Sequence, residues 1–209
     1  MSLLPEQDFQ QRWSQLHGGA EITAVVGGWL RISYSVARVS HRLKITPDIF
    51  TFIGLGAAIA CAIVSPSPWA ALLLICSLIA DGVDGSVAIA QGRESDWGAA
   101  KDSIADRLAE FAWGVALYRL GVPLFLVAFF ILLASVQEYA RARLGGLGIH
   151  QLGVVTPAER PVRAIALTFA IAAYQSFDSK GATLIVGVIT VMQIFSVLQV
   201  LRVTYRQLR

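Results

Sequence analysis

The chain has 209 residues, of which 56% are hydrophobic and 15% are charged, and its mean hydropathy is +0.62. Soluble domains carry about 25% charged residues, so these values exclude an ordinary cytosolic protein, a disordered chain and a small secreted scaffold. A polytopic membrane protein remains, because six spans of roughly 20 residues fit within this length. Basic loops on the cytoplasmic side of a membrane account for the formal net charge of +3 without a nucleic-acid partner.

Residues 1–45 are predicted to form a cytoplasmic N-terminus followed by an interfacial helix. Residues 1–20 are polar and lack the apolar core of a signal peptide, so we expect a polar cap there. Residues 22–44 combine an apolar stripe at helical spacing with basic residues elsewhere around the helix. This pattern is typical of an amphipathic helix drawn to anionic lipid, and a helix on a cytosolic surface is the alternative. The stripe comprises Trp29, Ile32, Val36, Val39 and Leu43.

Residues 46–205 are predicted to form one transmembrane domain of six helices, which makes the fold class all-α. With a cytoplasmic start, only Arg119 and Lys180 of the 17 Lys and Arg residues would lie outside the cell. This asymmetry predicts a multi-pass protein of the cell membrane with both termini in the cytoplasm. A loop of residues 144–159 joins the fourth span to the fifth. The predicted spans cover about 46–64, 69–91, 97–118, 122–140, 161–177 and 182–203.

The third predicted span carries more charge than a lipid-facing helix tolerates. A charge at the centre of such a helix costs about 2.5–3.5 kcal/mol, so five charges would cost about 15 kcal/mol. The segment must therefore turn its charges toward a wet, protein-lined cavity near the cytoplasmic side. Ionisable groups inside a membrane are candidates for function. The five charged residues are Lys101, Asp102, Asp106, Arg107 and Glu110.

Two pairs of aspartates face each other across the hairpin of the second and third predicted spans. Asp81 and Asp84 are three residues apart and Asp102 and Asp106 are four apart, so each pair shares one helix face. Four carboxylates that converge below the cytoplasmic surface would repel one another. A hard divalent cation, above all Mg²⁺, removes that repulsion and commonly accompanies a substrate phosphate. Neutralisation by neighbouring basic side chains is the structural alternative.

These aspartates belong to a longer pattern. Asp81-x-x-Asp84-Gly85-x-x-Ala88, followed by Gly98-x-x-x-Asp102-x-x-x-Asp106, resembles the signature of the CDP-alcohol phosphotransferases, also called CDP-alcohol phosphatidyltransferases. Thr46-Pro47-Asp48-Ile49-Phe50-Thr51 is similar to the motif that precedes the first span in that family. The similarity covers about residues 22–205. Residues 139–143 and 159–163 look nearest to actinobacterial phosphatidylinositol phosphate synthases.

The resemblance implies an enzyme of phospholipid synthesis, usually a homodimer. A hydroxyl of a polar acceptor, such as inositol phosphate or glycerol 3-phosphate, would attack the β-phosphorus of CDP-diacylglycerol and release CMP. Asp81, Asp84, Asp102 and Asp106 would hold Mg²⁺, with Mn²⁺ as an alternative ion, and Asp106 would also be the general base. The residues implied in binding the CDP-lipid are Thr46, Pro47, Asp48, Ile49, Gly85, Ala88, Ser95 and Gly98.

A cluster of basic residues is the candidate site for a phosphate on the acceptor. These side chains lie at the cytoplasmic ends of the fourth and fifth predicted spans, where guanidinium groups can bind phosphate in a bidentate manner. The alternative is that they are cytoplasmic anchors of the spans. The cluster comprises Arg141, Arg143, Arg160 and Arg163.

One position departs from the family signature. Ile89 stands where the family has an Arg that contacts the nucleotide end of the donor, and Arg93, four residues later, is a candidate to replace it. The same departure is compatible with a different donor or with a catalytically silent homologue. A divalent-cation carrier is a further alternative, but carriers often contain internal repeats, and the acidic hairpin occurs once in this sequence.

Overall fold

The structure is a computed structural model that describes residues 3–148 and 155–209. All regular secondary structure in these residues is helical, which agrees with the predicted fold class. The seven helices are α1 (Glu6–Leu16), α2 (Ala24–Arg42), α3 (Pro47–Val64), α4 (Trp69–Gln91), α5 (Asp96–Arg119), α6 (Leu124–Gly146) and α7 (Arg160–Gln207). Residues 149–154 of the predicted 144–159 loop lie outside the described residues.

Two compact units make up the chain, with boundaries inside α3, α4 and α5. The first unit comprises the residues up to Gly56 together with Ser77–Asp106. The second unit comprises Ala57–Cys76 and Arg107–Arg209. The aspartate hairpin therefore belongs to the first unit, and the four candidate acceptor arginines belong to the second.

The first unit contains more structure before residue 20 than the predicted polar cap. Helix α1 buries Phe9 completely in an apolar cluster with residues of α2 and α4. Its other residues are mostly polar, and Trp13, on the same helix, is partly buried against this cluster. The apolar partners of Phe9 in this cluster are Leu30, Tyr34, Ala37, Val83, Val87, Ile89 and Ala90.

Helix α2 falls within the predicted 22–44 segment, and its buried face differs from the predicted apolar stripe. The face toward the protein is formed by Leu30, Ser33, Tyr34, Ala37 and Ser40. The stripe residues Ile32, Val39 and Leu43 are exposed, while Trp29 and Val36 are half-buried. The buried face of α2 thus mixes apolar residues with two serines, and a second, apolar face is exposed. The interfacial position of this helix stays a prediction.

Four helices of the described residues are long and apolar enough to cross a membrane, namely α3, α4, α6 and α7. These helices support a multi-pass membrane protein. Helix α7 has 48 residues and a kink, because Phe177 and Asp178 have non-helical backbone angles. Asp178 lies in the left-handed region with φ of 53°. The kink falls between the fifth and sixth spans that the sequence predicts.

Helix α6 extends beyond the fourth predicted span and into the predicted 144–159 loop. The prediction ends this span at residue 140, but α6 continues to Gly146. Within this extension Arg141 is ion-paired with Glu159. Arg141 and Arg143 therefore lie on the last two turns of α6.

The second unit is held together by apolar packing and by hydrogen bonds at its loops. Helices α6 and α7 pack against each other. The turn between α3 and α4 is attached to the end of α5, because Ser65 Oγ donates to the Ala116 carbonyl at 3.0 Å and Arg119 Nε donates to the Ser65 carbonyl at 2.9 Å. The largest buried apolar side chains of this unit include Trp113, Leu117, Leu120, Leu144, Leu167 and Ile171.

Candidate active site

A tight turn between α4 and α5 sets the geometry of the site. Helix α4 ends in a Schellman motif, in which the Arg93 N–H donates to the Ala88 carbonyl at 2.9 Å and the Gly92 N–H to the Ile89 carbonyl at 3.1 Å. Gly92 has φ of 60°, which a side chain would disfavour. Ser95 then caps α5, because its Oγ accepts from the Gly98 N–H at 3.0 Å. The chain reverses within five residues, so the acidic faces of α4 and α5 meet.

Three of the four predicted aspartates form a compact carboxylate cluster. Asp81, Asp102 and Asp106 each offer an oxygen, and these oxygens all lie within 4.8 Å of one another. All three residues are half-buried. Oxygen donors that carry full negative charge are the ligands that hard divalent cations prefer, so the donor set fits such an ion. The arrangement could hold a metal beside a phosphate.

Asp84 has a different environment from the other three. It is buried, and both of its carboxylate oxygens accept hydrogen bonds from the first unit. Thr51 Oγ1 donates to Oδ2 at 2.6 Å, and the Gly85 N–H donates to Oδ1 at 2.6 Å. The close group of three carboxylates does not include it. Its role as a metal ligand stays a prediction.

Thr51 is a site residue for which no role was predicted, although it belongs to the motif at residues 46–51. It lies one helical turn after Pro47, in an otherwise apolar run, and this isolated polar position is the signal that could have identified it. Its hydroxyl fixes the orientation of a buried carboxylate that lines the cavity described next.

Removal of the Thr51 hydroxyl is expected to weaken the site. Thr51→Val keeps the shape of the side chain but leaves Asp84 Oδ2 without this donor. A hydrogen bond to a charged group contributes about 1.5–3 kcal/mol to stability. If the orientation of Asp84 that binds ligand is destabilised by that amount, the affinity for CDP falls by about 10-fold or more. Thr51→Ser keeps the hydroxyl and should retain most of the affinity. Titration of CDP binding to the purified variants measures both effects, and equal affinity of the Val and Ser variants would contradict this role.

A cavity of about 410 Å³ adjoins the carboxylates within the first unit. Asp102 belongs both to its wall and to the carboxylate cluster. Seven of the eight residues predicted to bind the CDP-lipid line it, and the exception is Ile49, whose side chain is exposed. The seven are Thr46, Pro47, Asp48, Gly85, Ala88, Ser95 and Gly98.

The cavity wall contains two basic residues, Arg93 and Lys101. Lys101 Nζ forms an ion pair with Asp48, so part of its charge is neutralised within the wall. Arg93 lies in the turn after α4 and is exposed. Ile89 also lines the cavity, but it is 95% buried because it packs into the apolar cluster around Phe9. The contribution of Arg93 to donor binding stays a prediction.

The four candidate acceptor arginines have different environments within the second unit. Arg163 is only 1% exposed, and protein groups surround its guanidinium. Its Nη2 donates to Glu110 Oε1 at 2.6 Å and to Glu138 Oε1 at 3.3 Å, and its Nη1 donates to the Ala158 carbonyl at 2.7 Å. Arg141 binds Glu159 with two hydrogen bonds of 2.7 and 2.6 Å.

Arg160 and Arg143 have other environments. The guanidinium carbon of Arg160 lies 5.3 Å from the centre of the Trp113 ring, in a cation–π contact. Arg143 is exposed near the end of α6. The glutamates that bind Arg163 and Arg141 were not predicted as partners. Glu110 could have been identified from the sequence, because it is an isolated acidic residue deep in the third predicted span and therefore needs a basic partner.

Glu159 precedes α7 and accepts hydrogen bonds from Arg141 and Thr156, with which it forms a small polar cluster. Burial raises the pKa of its carboxyl, but hydrogen bonds from Arg141 and from the Thr156 hydroxyl and N–H outweigh burial and lower the pKa to about 2. The cluster continues to Gln137, whose Nε2 donates to Thr156 Oγ1 at 3.2 Å. The carboxylate of Glu159 thus joins the end of α6 to the start of α7.

Acid should remove the stabilisation that Glu159 provides. Its pKa is lower in the folded chain than the ordinary value of 4.5, so its contribution is complete above that value and declines as the pH falls toward about 2. We expect Glu159→Gln to lower the melting temperature at pH 7, and we expect this difference from the unmodified chain to shrink between pH 5 and about 2. Thermal melts of both proteins across this range provide the measurement. A difference independent of pH would contradict the assignment.

Comparison with known proteins relates this geometry to a family. The sequence profile of the CDP-alcohol phosphatidyltransferases matches residues 44–200. Phosphatidylinositol phosphate synthase of Cutibacterium acnes is 32% identical over 148 residues, which are 64% of this chain and 70% of that protein. Archaetidylinositol phosphate synthase of Aeropyrum pernix is 33% identical over 175 residues, covering 81% of this chain and 88% of that protein.

Crystal structures of Mycobacterium tuberculosis phosphatidylinositol phosphate synthase share the fold. The structure with CDP-DAG bound has 22% identity and a TM-score of 0.71, covering 84% of this chain and 94% of that one. The structure in complex with manganese and citrate has 21% identity and the same TM-score of 0.71, covering 83% and 88%. The profile match spans three quarters of the sequence and includes both aspartate pairs. The chain therefore belongs to the CDP-alcohol phosphatidyltransferase family.

Proposed function

We propose that this protein transfers a phosphatidyl group from CDP-diacylglycerol to a hydroxyl of a polar acceptor, with release of CMP and with Mg²⁺ as the cofactor. The observation that carries the proposal is the position of Asp102, which belongs both to the three-carboxylate cluster and to the wall of the cavity. The cavity is lined by the motif residues that the family resemblance associates with the CDP group. A nucleoside diphosphate bound there would place its phosphates beside the carboxylates.

The carboxylates have separate tasks in this reaction. Asp81, Asp102 and Asp106 would hold Mg²⁺, with Mn²⁺ as an alternative, and Asp84 would support the site from its buried position beside Thr51. When bound, the metal neutralises charge on the pyrophosphate. Asp106 accepts the proton of the acceptor hydroxyl while the new O–P bond forms and the bond from phosphorus to the CMP oxygen breaks. Positioning and charge neutralisation dominate phosphoryl transfer, so no covalent intermediate is needed.

An inositol phosphate is the acceptor that we favour. The names of the Cutibacterium and Aeropyrum relatives both specify inositol phosphate products, although the two lipid parts differ. Arg143 is the arginine of the predicted cluster that we favour for binding the acceptor phosphate, because it is exposed, whereas carboxylates bind Arg141 and Arg163. Arg141 and Arg163 instead join residues near the end of α6 to residues near the start of α7.

Six spans and an interfacial helix are the membrane arrangement that we propose. At 1.5 Å per residue, the 48 residues of α7 would extend about 72 Å, more than twice the roughly 30 Å of a bilayer core. The kink at Phe177 and Asp178 supports two spans in place of one. Helix α5 would be the remaining span, with its charges turned to protein. In this arrangement both termini are cytoplasmic, α2 lies in the interface of the cell membrane, and the protein is a homodimer.

A donor-altered homologue is the second candidate, and the presence of Ile89 in the cavity wall, at the position where the family has an Arg, favours it. The two candidates are separated by incubating the purified protein with Mg²⁺ and either CDP-diacylglycerol or an ether-linked CDP-lipid. Each donor is offered inositol 1-phosphate, glycerol 3-phosphate, serine or a second phospholipid. We expect phosphatidylinositol phosphate from CDP-diacylglycerol. Product from the ether lipid alone would establish the altered donor, and product from neither donor with any acceptor would contradict the proposed transfer.

A further inference from the structure

Helix α1 lies outside the residues that match the family, yet it contacts the rim of the cavity. The match begins at residue 44, whereas α1 ends at Leu16. We propose that α1 is a positioning element of the donor cavity, which holds the end of α4 and the α4–α5 turn in the arrangement that binds nucleotide. The inference rests on the proposed function only in taking the ligand of the cavity to be the nucleotide end of a CDP-lipid.

The first link is the packing of Phe9 on α4. Phe9 is completely buried and shares a cluster with Val87, Ile89 and Ala90, which form the last turns of α4. Ile89 also lines the cavity, so the cluster in which Phe9 is buried includes a residue of the cavity wall. The Phe9 and Tyr34 ring centres are 5.4 Å apart, which places α2 against the same cluster.

The second link is a pair of hydrogen bonds through Leu4. The last carbonyls of a helix have no partner within the helix. The Leu4 N–H donates to the Ala90 carbonyl at 2.9 Å, so the N-terminal segment supplies a partner at the end of α4. Tyr34 Oη donates to the Leu4 carbonyl at 2.7 Å and fixes Leu4 in turn. The contact places the backbone before α1 against the turn that carries Arg93.

The third link reaches the turn itself. Arg12 Nε donates to Glu94 Oε1 at 3.0 Å, and Glu94 lines the cavity. Both side chains are partly exposed, so this ion pair contributes little to overall stability. The ion pair instead restricts the orientation of the Glu94 side chain. Glu94 lies in the short turn between the C-terminal cap of α4 and the N-terminal cap of α5. Three contacts of different kinds thus connect residues 4–12 with residues 89–94.

Loss of the Phe9 ring should loosen the turn without affecting the carboxylates on which the reaction depends. If the fraction of molecules with a binding-competent turn falls to about one fifth, the apparent dissociation constant rises about fivefold. We therefore expect Phe9→Ala to raise both the KM for CDP-diacylglycerol and the Kd for CMP by about fivefold, with kcat nearly unchanged. Phe9→Leu should restore most of the affinity. Leu16→Ala is the matched control, because Leu16 is a large apolar residue on the same helix and is exposed.

Hydrogen exchange of the backbone amides of residues 88–97 provides a readout that does not depend on turnover. The proposal expects faster exchange in this segment for Phe9→Ala and unchanged exchange for Leu16→Ala. If the unmodified protein shows no transfer with any acceptor, the proposed function fails while faster exchange in Phe9→Ala still supports the positioning role. Unchanged exchange at residues 88–97 in a folded Phe9→Ala variant would overturn the inference. So would an unchanged KM accompanied only by a smaller yield of folded protein.

Discussion

Replacement of Asp106 by Asn is expected to reduce turnover by about 10²–10⁴-fold, the usual contribution of a general base. Asn is nearly isosteric with Asp but cannot accept the proton of the acceptor hydroxyl, and it removes one negative charge from the cluster with Asp81 and Asp102. The cavity wall contains Asp102 but not Asp106. Binding of CDP should therefore be largely retained. The measurement is CMP release under saturating donor, together with CDP affinity by titration.

Asp96→Asn is the matched control for Asp106→Asn. Asp96 begins the same helix and is exposed, and it belongs neither to the cavity wall nor to the carboxylate cluster. The control makes the same chemical change ten residues away and should leave CMP release unchanged. Turnover by Asp106→Asn at the rate of the control would contradict the assignment of Asp106 as the base. Loss of CDP binding together with turnover would reassign Asp106 to donor binding.

Replacement of Arg163 by Ala is expected to destabilise the second unit by about 3 kcal/mol, the lower end of the range for breaking a buried ion pair. The cost arises from Glu110, which is 4% exposed and would lose its hydrogen bonds from Arg163 while keeping that from Arg107. The Ala158 carbonyl would lose its donor as well. Thermal unfolding in detergent, followed by circular dichroism, measures the change.

A double variant distinguishes the two possible roles of Arg163, which are the buried ion pair with Glu110 and the binding of phosphate. The double change Arg163→Met and Glu110→Gln removes both charges and should recover most of the stability that Arg163→Ala loses, because an apolar side chain replaces the cation. Arg143→Ala, which removes an exposed arginine, should leave the melting temperature unchanged. If Arg163→Ala melts like the unmodified protein but has a higher KM for the acceptor, Arg163 binds substrate and its structural role is wrong.

The carboxylate hairpin could be predicted because its geometry depends on local sequence. The spacing of Asp102 and Asp106 fixes their helix face, and the Gly92 and Ser95 caps at the turn set where α4 ends and α5 begins. The environment of Asp84 could not be predicted in the same way. Its hydrogen-bond donor, Thr51, is 33 residues away and reaches it only through the packing of α3 on α4.

The roles of the N-terminal helix and of the arginine cluster could not be predicted from composition alone. Residues 1–20 are polar, so the importance of Phe9 depends on partners such as Val83 and Val87, more than 70 residues later. Arg163 looks like a phosphate ligand as long as its partner is unknown, and that partner, Glu110, is 53 residues away. In both cases a distant contact decides whether a side chain is structural or available to a ligand.

The measurement that tests the central claim most directly is CMP release by metal-free protein. The purified protein is treated with EDTA, supplied with CDP-diacylglycerol and inositol 1-phosphate, and titrated with Mg²⁺ or Mn²⁺. We predict that CMP release is absent without a divalent ion, is restored by either metal, and is lost at every metal concentration in Asp102→Asn, which removes the carboxylate shared by the cluster and the cavity. CMP release at the full rate in EDTA, or in Asp102→Asn, would contradict the account.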